Sequence, residues 1–304
     1  MRLKPFLRND LLEELLAELA EDLRIAERAL LKRRNELLHP LILVMGPPRC
    51  GSTLFMQWLA NSELVAYPTN LLARFYYAPI IGAKIQLLLT DPKYEFRDEL
   101  KEFKKEIDYR SENGKTQGIL APNEFWYFWR RFLKDSRRDI WTDEELRETM
   151  DVKTMLGELA GVTEVMNKPF VMKGMLFNYN ISFLDSVIDK VVFIQLKRNL
   201  ESNAESVLDA RKRQFGDVKS WYSFEIPEKE ALLDLDPATQ VRKQVMAIDR
   251  AVDLGVGMVE VSRKLVIHYE DFCSRPRFYF ELLAEMLGLE SFPYKGPERF
   301  SSTR

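Results

Sequence analysis

Apolar positions along the chain follow two alternating rhythms. Short runs with little polar interruption occur at 41–45 (LILVM), 64–67 (LVAY), 170–174 (FVMKG), 191–196 (VVFIQL) and 264–269 (KLVIHY). Runs of this kind are strands buried on both faces. Between them lie stretches with helical spacing, including 200–211 and 237–256. The alternation predicts an α/β fold, a mainly parallel five-stranded sheet flanked by helices. Ligands of such sheets collect at the carboxyl ends of the strands. From residue 9 to 38, Leu16, Leu19, Leu23, Ala26, Leu30 and Leu37 keep an a/d-like spacing, and Pro40 follows. This predicts one N-terminal amphipathic helix. Its stripe packs on the chain's own domain or, as the alternative, builds a homodimer. Residues 71–165 are aromatic and helix-prone, and read as a helical insertion over the sheet edge. The expected organisation is therefore a helix over 1–38 and one domain over 39–304.

Composition narrows the function classes. The 304 residues hold 45 Lys and Arg against 47 Asp and Glu, a formal charge of −2. No global basic field for nucleic acid exists, so any anion site must be local. Two cysteines and two histidines make neither a disulfide framework nor a good zinc set, and no metal is expected. Free thiols fit a reducing compartment. The N-terminal stretch has acidic residues where a signal peptide has its apolar core, and no apolar run reaches about 18 residues. A soluble, cytoplasmic protein without a membrane span is expected.

Three segments carry candidate chemistry. The first, LILVMGPPRCGSTLFMQWLA at 41–60, reads as strand, tight turn and helix. Gly46, Gly51 and Thr53 fall where a G-x-x-x-x-G-K-[ST] phosphate loop has them, but Ser52 stands at the lysine position. Such a turn aims backbone N–H groups and a helix dipole at one spot. Arg49 can supply the missing charge, since a guanidinium grips tetrahedral oxyanions as a bidentate fork without a metal. The second segment is VVFIQLKRNLESNAES, where Arg198 ends a strand and Ser206 lies just over two helical turns on. The two can close on a second phosphate. The third is VIHYEDFCSRP, a strand followed by Tyr269, Glu270 and Asp271.

In this order the segments resemble the sulfotransferases that use 3′-phosphoadenosine 5′-phosphosulfate. The family's loop reads roughly G-x-P-R-S-G-T-T-L, matched by GPPRCGSTL with departures at Cys50 and Ser52. Its second motif, a strand, an Arg and a Ser eight residues on, is matched by Arg198 and Ser206. Its third is matched by YEDFCSRP, and the stretch from Trp221 is similar to a W-W-x-x-x-P-P segment. Arg in the loop looks closest to the bacterial and carbohydrate- or tyrosyl-type branch. The resemblance implies that Arg49, Cys50, Gly51, Ser52 and Thr53 bind the 5′-phosphosulfate, that Arg198 and Ser206 bind the 3′-phosphate, and that an acceptor hydroxyl receives the sulfuryl group. A P-loop nucleotide kinase, or a protein keeping the fold without the chemistry, is the alternative.

Sulfuryl transfer also needs a base and cations on the leaving oxygen. Arg49 is the first cation, and Lys173, in KPFVMKG, resembles the second of the tyrosyl-type branch. That branch has a Glu about twenty residues past the loop, where this chain has Thr69 and Asn70. Glu124, set among aromatics in APNEFWYFW, is the first candidate base. His268 is the second, in a strand pattern typical of a core histidine. Trp126, Tyr127, Trp129, Trp221 and Tyr222 are candidates to stack on the acceptor or the adenine, and Arg74, Arg130 and Arg131 hint at an anionic acceptor.

Overall fold

The computed structural model describes the chain except residues 1, 8, 32–35, 98, 101–102, 104–110, 113–114, 136–137 and 302–304. The strands are β1 (Leu41–Met45), β2 (Ser111–Glu112), β3 (Lys115–Thr116), β4 (Phe170–Lys173), β5 (Val191–Lys197) and β6 (Lys264–His268). β4, β1, β5 and β6 form one parallel sheet in that order, and β2 with β3 makes a separate antiparallel hairpin. All five residues of β1 are fully buried, as its central place and apolar run require. Its alternate side chains feed two cores. Leu41, Leu43 and Met45 join Phe170, Met172 and Phe193 on one face; Ile42 and Val44 join Val171, Ile194 and Ile267 on the other.

The sheet has four strands where the pattern predicted five. The run at 64–67 contributes one bridge: Ala66 donates to the Pro169 carbonyl at 2.8 Å and accepts from Val171 N at 2.8 Å. The next ladder donor on that side would be Pro68, which has no N–H. On the other side the Leu64 amide goes to Ser62 Oγ at 3.2 Å. The register is right, but the chemistry stops it after one residue.

The N-terminal helix, α1, spans Asp10–Leu31. Leu37 and Leu38 lie outside it, and 32–35 fall outside the described residues. Its apolar stripe turns inward: Leu16, Leu19, Ala20 and Leu23 face Phe75–Ala78, while Gly157 approaches Leu31. Glu27, buried on the same face, accepts from Ile80 N at 2.8 Å and Ile81 N at 3.1 Å. A carboxylate there satisfies orphan donors of the helix Pro79–Thr90 and complements its dipole. Residues 71–165 hold that helix with Trp126–Arg130, Asp143–Thr149 and Val152–Met166, and also the β2–β3 hairpin. Among the described residues no helix is long and apolar enough to cross a membrane.

One buried acid behind the sheet is uncompensated. Asp249, on the helix Pro237–Met258, has its Oδ1 buried without a hydrogen-bond partner, and burial pushes its carboxyl up to about 6 despite Lys197. A folded-state value raised above the unfolded one means that this group favours folding when protonated. Its ionisation costs stability as pH rises from about 4 through 6. Asp249→Asn is therefore expected to raise unfolding free energy at pH 7.5 by on the order of 2 kcal/mol, with the difference vanishing near pH 4. Urea titrations of both proteins at the two pH values check this; an equal difference at both would refute it.

Candidate active site

The loop after β1 owes its curl to backbone that few residues adopt. Gly46 has φ 141°, Arg49 φ 67° and Gly51 φ 98°. A Cβ on Gly46 would sit 2.6 Å from the Leu196 carbonyl oxygen, and one on Gly51 2.1 Å from the Tyr269 ring. Side chains from distant segments hold this curl. Buried Asn178 accepts from Gly46 N at 3.1 Å and donates to Gly46 O at 2.9 Å. Arg198 donates to the Arg49 carbonyl at 3.0 Å and lies 4.9 Å over the Tyr269 ring. Arg49 Nε donates to Ser206 Oγ at 3.1 Å. The three sequence segments thus meet at one point, the carboxyl end of β1 and β5 and the start of the helix Ser52–Asn61.

The YED segment has a divided role. Tyr269 packs against Gly51, while Glu270 Oε1 accepts from Asn199 N at 3.0 Å and anchors the start of the helix carrying Ser206. Asp271 faces away, paired with Arg275 at 2.6 Å. Asn199 caps that helix through Ser202 N at 3.1 Å.

Several groups of this region fit a nucleotide with two phosphorylated ends. The helix Ser52–Asn61 starts directly after the loop, so the positive end of its dipole lies there. Arg198 Nε is buried with no hydrogen-bond partner, a donor that an anion would satisfy. Cys50 is fully buried, and burial pushes its thiol up to about 11, so it contributes backbone rather than a thiolate. Ser52 is buried, and Thr53 is half-buried at the edge of a small cleft.

That cleft is lined by Thr53, Met56, Thr116, Pro122, Asn123, Glu124 and Lys173. It brings together two residues chosen from sequence on separate grounds. Lys173 Nζ, at the end of β4, donates to Glu124 Oε1 at 2.8 Å. Lys173 is 4% exposed, so it is not a surface lysine. Trp126 Nε1 donates to Glu124 Oε2 at 2.7 Å, and Trp129 Nε1 to the Lys173 carbonyl at 2.9 Å.

Other nominated residues go elsewhere. His268 is exposed at the end of β6, not in a core, and the charges it acts on are Asp253 and Asp271. Trp129 is core, and Tyr127 donates to Glu13 of α1 at 2.7 Å. Arg130 and Arg131 are tied to Asp139 and to buried Glu158, and Arg74 is exposed. Thr69 and Asn70 are structural: Asn70 Nδ2 reaches the carbonyls of Thr116 and Gly118, and Asn123 donates to Asn70 Oδ1 at 2.9 Å. Tyr222 does lie at the site. Burial raises its phenol, and Arg49 and Glu124 both act on it. Asn178 and Gln244, which holds the Tyr222 and Phe224 carbonyls at 2.9 and 2.7 Å, had no signal in the sequence beyond being amides near apolar runs.

The profile of the sulfotransferase family matches residues 40–293. No curated protein matches the chain in sequence. Among solved structures, sulfotransferase STF9 from Mycobacterium avium is similar at 17% identity and a TM-score of 0.54, over 86% of this chain and 66% of that one. Sulfotransferase STF1 from Mycobacterium tuberculosis H37Rv is similar at 12% identity and a TM-score of 0.51, over 90% of this chain and 73% of that one. At these identities the structures share the fold, while the profile spans every segment that meets at the loop. The chain belongs to the sulfotransferase family and is an enzyme of the kind that draws its sulfuryl group from 3′-phosphoadenosine 5′-phosphosulfate.

Proposed function

We propose that the chain moves the sulfuryl group to a hydroxyl of a carbohydrate or small-molecule acceptor, as a member of the branch with Arg in the donor loop. The observation that carries this reading is the Lys173–Glu124 pair beside Thr53 at the mouth of the loop. In the reaction the acceptor oxygen bonds to sulfur while the sulfur–oxygen bond to the 5′-phosphate breaks. Glu124 takes the acceptor's proton. Arg49 and Lys173 offset charge growing on the departing phosphate oxygen. The loop from Arg49 through Cys50, Gly51 and Ser52 to Thr53 holds the 5′ end, and Arg198 with Ser206 holds the 3′-phosphate. A sulfuryl group carries less charge than a phosphoryl group, so arginines and helix amides suffice here. A kinase reading gains nothing from the geometry, because Ser52 leaves the loop without its lysine. A protein without the chemistry is disfavoured by a cation and a carboxylate held together at the loop. The two cysteines are buried and free, which suits a cytoplasmic setting. A homodimer through α1 would have to compete with the stripe's packing on its own domain.

Four measurements test the reading. Calorimetry in EDTA should record binding of adenosine 3′,5′-bisphosphate; binding of ATP only, and only with magnesium, would return the kinase reading. Arg198→Ala should weaken the bisphosphate by about tenfold or more beyond whatever AMP loses through the freed Arg49 carbonyl, the worth of a lost charge-assisted bond; equal losses would separate Arg198 from the 3′-phosphate. Labelled donor offered with phenols, sugars and hydroxylated small molecules should mark one acceptor class. With that acceptor, Glu124→Gln should lower turnover by about 10²–10⁴-fold with bisphosphate affinity unchanged, and near-normal turnover would remove Glu124 from the base role.

A further inference from the structure

The segment from Asn123 to Trp126 bends in an unusual way. Phe125 has φ 56° and ψ 31°, a left-handed conformation that costs a bulky residue about 1–3 kcal/mol. It is enforced: Phe125 is 2% exposed, stacks on Phe128 with ring centroids 4.9 Å apart, and its N–H is held by Asn123 Oδ1 at 2.8 Å. The bend folds Trp126 back on Glu124, so residues two apart share a 2.7 Å hydrogen bond. The indole is held in turn. It packs edge-on against Phe224 with centroids 5.7 Å apart and rings at 84°. The Phe224 carbonyl accepts from fully buried Gln244 at 2.7 Å and from Trp221 Nε1 at 3.2 Å.

Among the partners of Glu124 are Lys173 on Oε1 and Trp126 on Oε2. They differ in what the reaction asks of them. Lys173 is charged and is needed at the leaving oxygen as the sulfur–oxygen bond breaks. Trp126 is neutral and is anchored edge-on through Phe224. A base must lie within hydrogen-bond reach of the acceptor hydroxyl, and small displacements are costly. We infer that Trp126 is a positioning residue that fixes the Glu124 carboxylate through its indole N–H when Lys173 turns to the leaving group. The left-handed Phe125 is the strained backbone that brings the two together. This inference rests on the reading of Glu124 as the base.

Trp126→Phe keeps an aromatic ring against Phe224 and removes only the donor. With the acceptor class found by the labelled-donor panel, kcat should fall by about tenfold or more, while acceptor KM and bisphosphate affinity stay within about twofold. The double variant Trp126→Phe/Glu124→Gln should be no slower than Glu124→Gln alone, because the indole acts only through the carboxylate. A purely structural role would instead give additive losses and a weakened bisphosphate. Normal kcat in Trp126→Phe with a slow Glu124→Gln would overturn the positioning role and leave the base reading intact. Normal turnover in Glu124→Gln would overturn both. Should Trp126→Phe fail to bind the bisphosphate, Phe224→Leu, which frees the indole without touching loop or carboxylate, is read by the same criteria.

Discussion

The hydrogen bond from Arg198 to the carbonyl of Arg49 is the contact on which the loop after β1 depends. It ties the end of β5 to the loop after β1 at the residue whose own backbone is strained. A non-glycine residue at φ 67° costs about 1–3 kcal/mol. A hydrogen bond from a charged donor returns about 1.5–3 kcal/mol. The balance is close, so the loop keeps its curl because other contacts push the same way. Asn178 grips both polar atoms of Gly46, and the Tyr269 ring fills the space a Cβ on Gly51 would need. Each of these holders comes from a different strand end. The loop is thus a joint between β1, β4, β5 and β6, whose carboxyl ends the parallel sheet brings together.

The cleft of Lys173 and Glu124 is built on a different principle. Its charged pair is set by a bent segment rather than by strand ends alone. β4 delivers Lys173 to the cleft, but Glu124 arrives from the connection that Asn70 and Asn123 clamp beside Thr116. Asn70 sits in the stretch where the resembling branch carries its acid. Here that stretch binds the neighbouring segment, and the segment brings a carboxylate with it. Tyr222 lies within electrostatic reach of both Arg49 and Glu124.

What the sequence disclosed follows from how local each signal is. The loop, Arg198 with Ser206, and YED were legible because their spacing is fixed by a strand running straight into a turn or helix. β1, β4 and β5 were legible because strands buried on both faces are almost wholly apolar, and β6 because it carries a short apolar run despite its half-exposed place at the sheet edge. The fifth strand was not, because Pro68 removes the donor after Ala66 and an apolar run alone does not reveal this. Glu124 and Lys173 were each visible as unusual residues in apolar company. Their pairing across 49 positions was not, since only the tertiary fold sets it. His268 has the pattern of a core residue because it ends an apolar run; β6 is the edge strand and leaves His268 exposed. Asn178 and Gln244 act through backbone carbonyls and amides, which leave no mark in a pattern of side chains.

The most direct measurement is a crystal structure of the protein with adenosine 3′,5′-bisphosphate. The account predicts the 5′-phosphate on the loop amides between Arg49 and Thr53, the 3′-phosphate against Arg198 and Ser206, and the cleft of Glu124 and Lys173 open beside the 5′ end. A nucleotide bound away from the loop, or one whose 3′-phosphate lies beside Lys173, would contradict it.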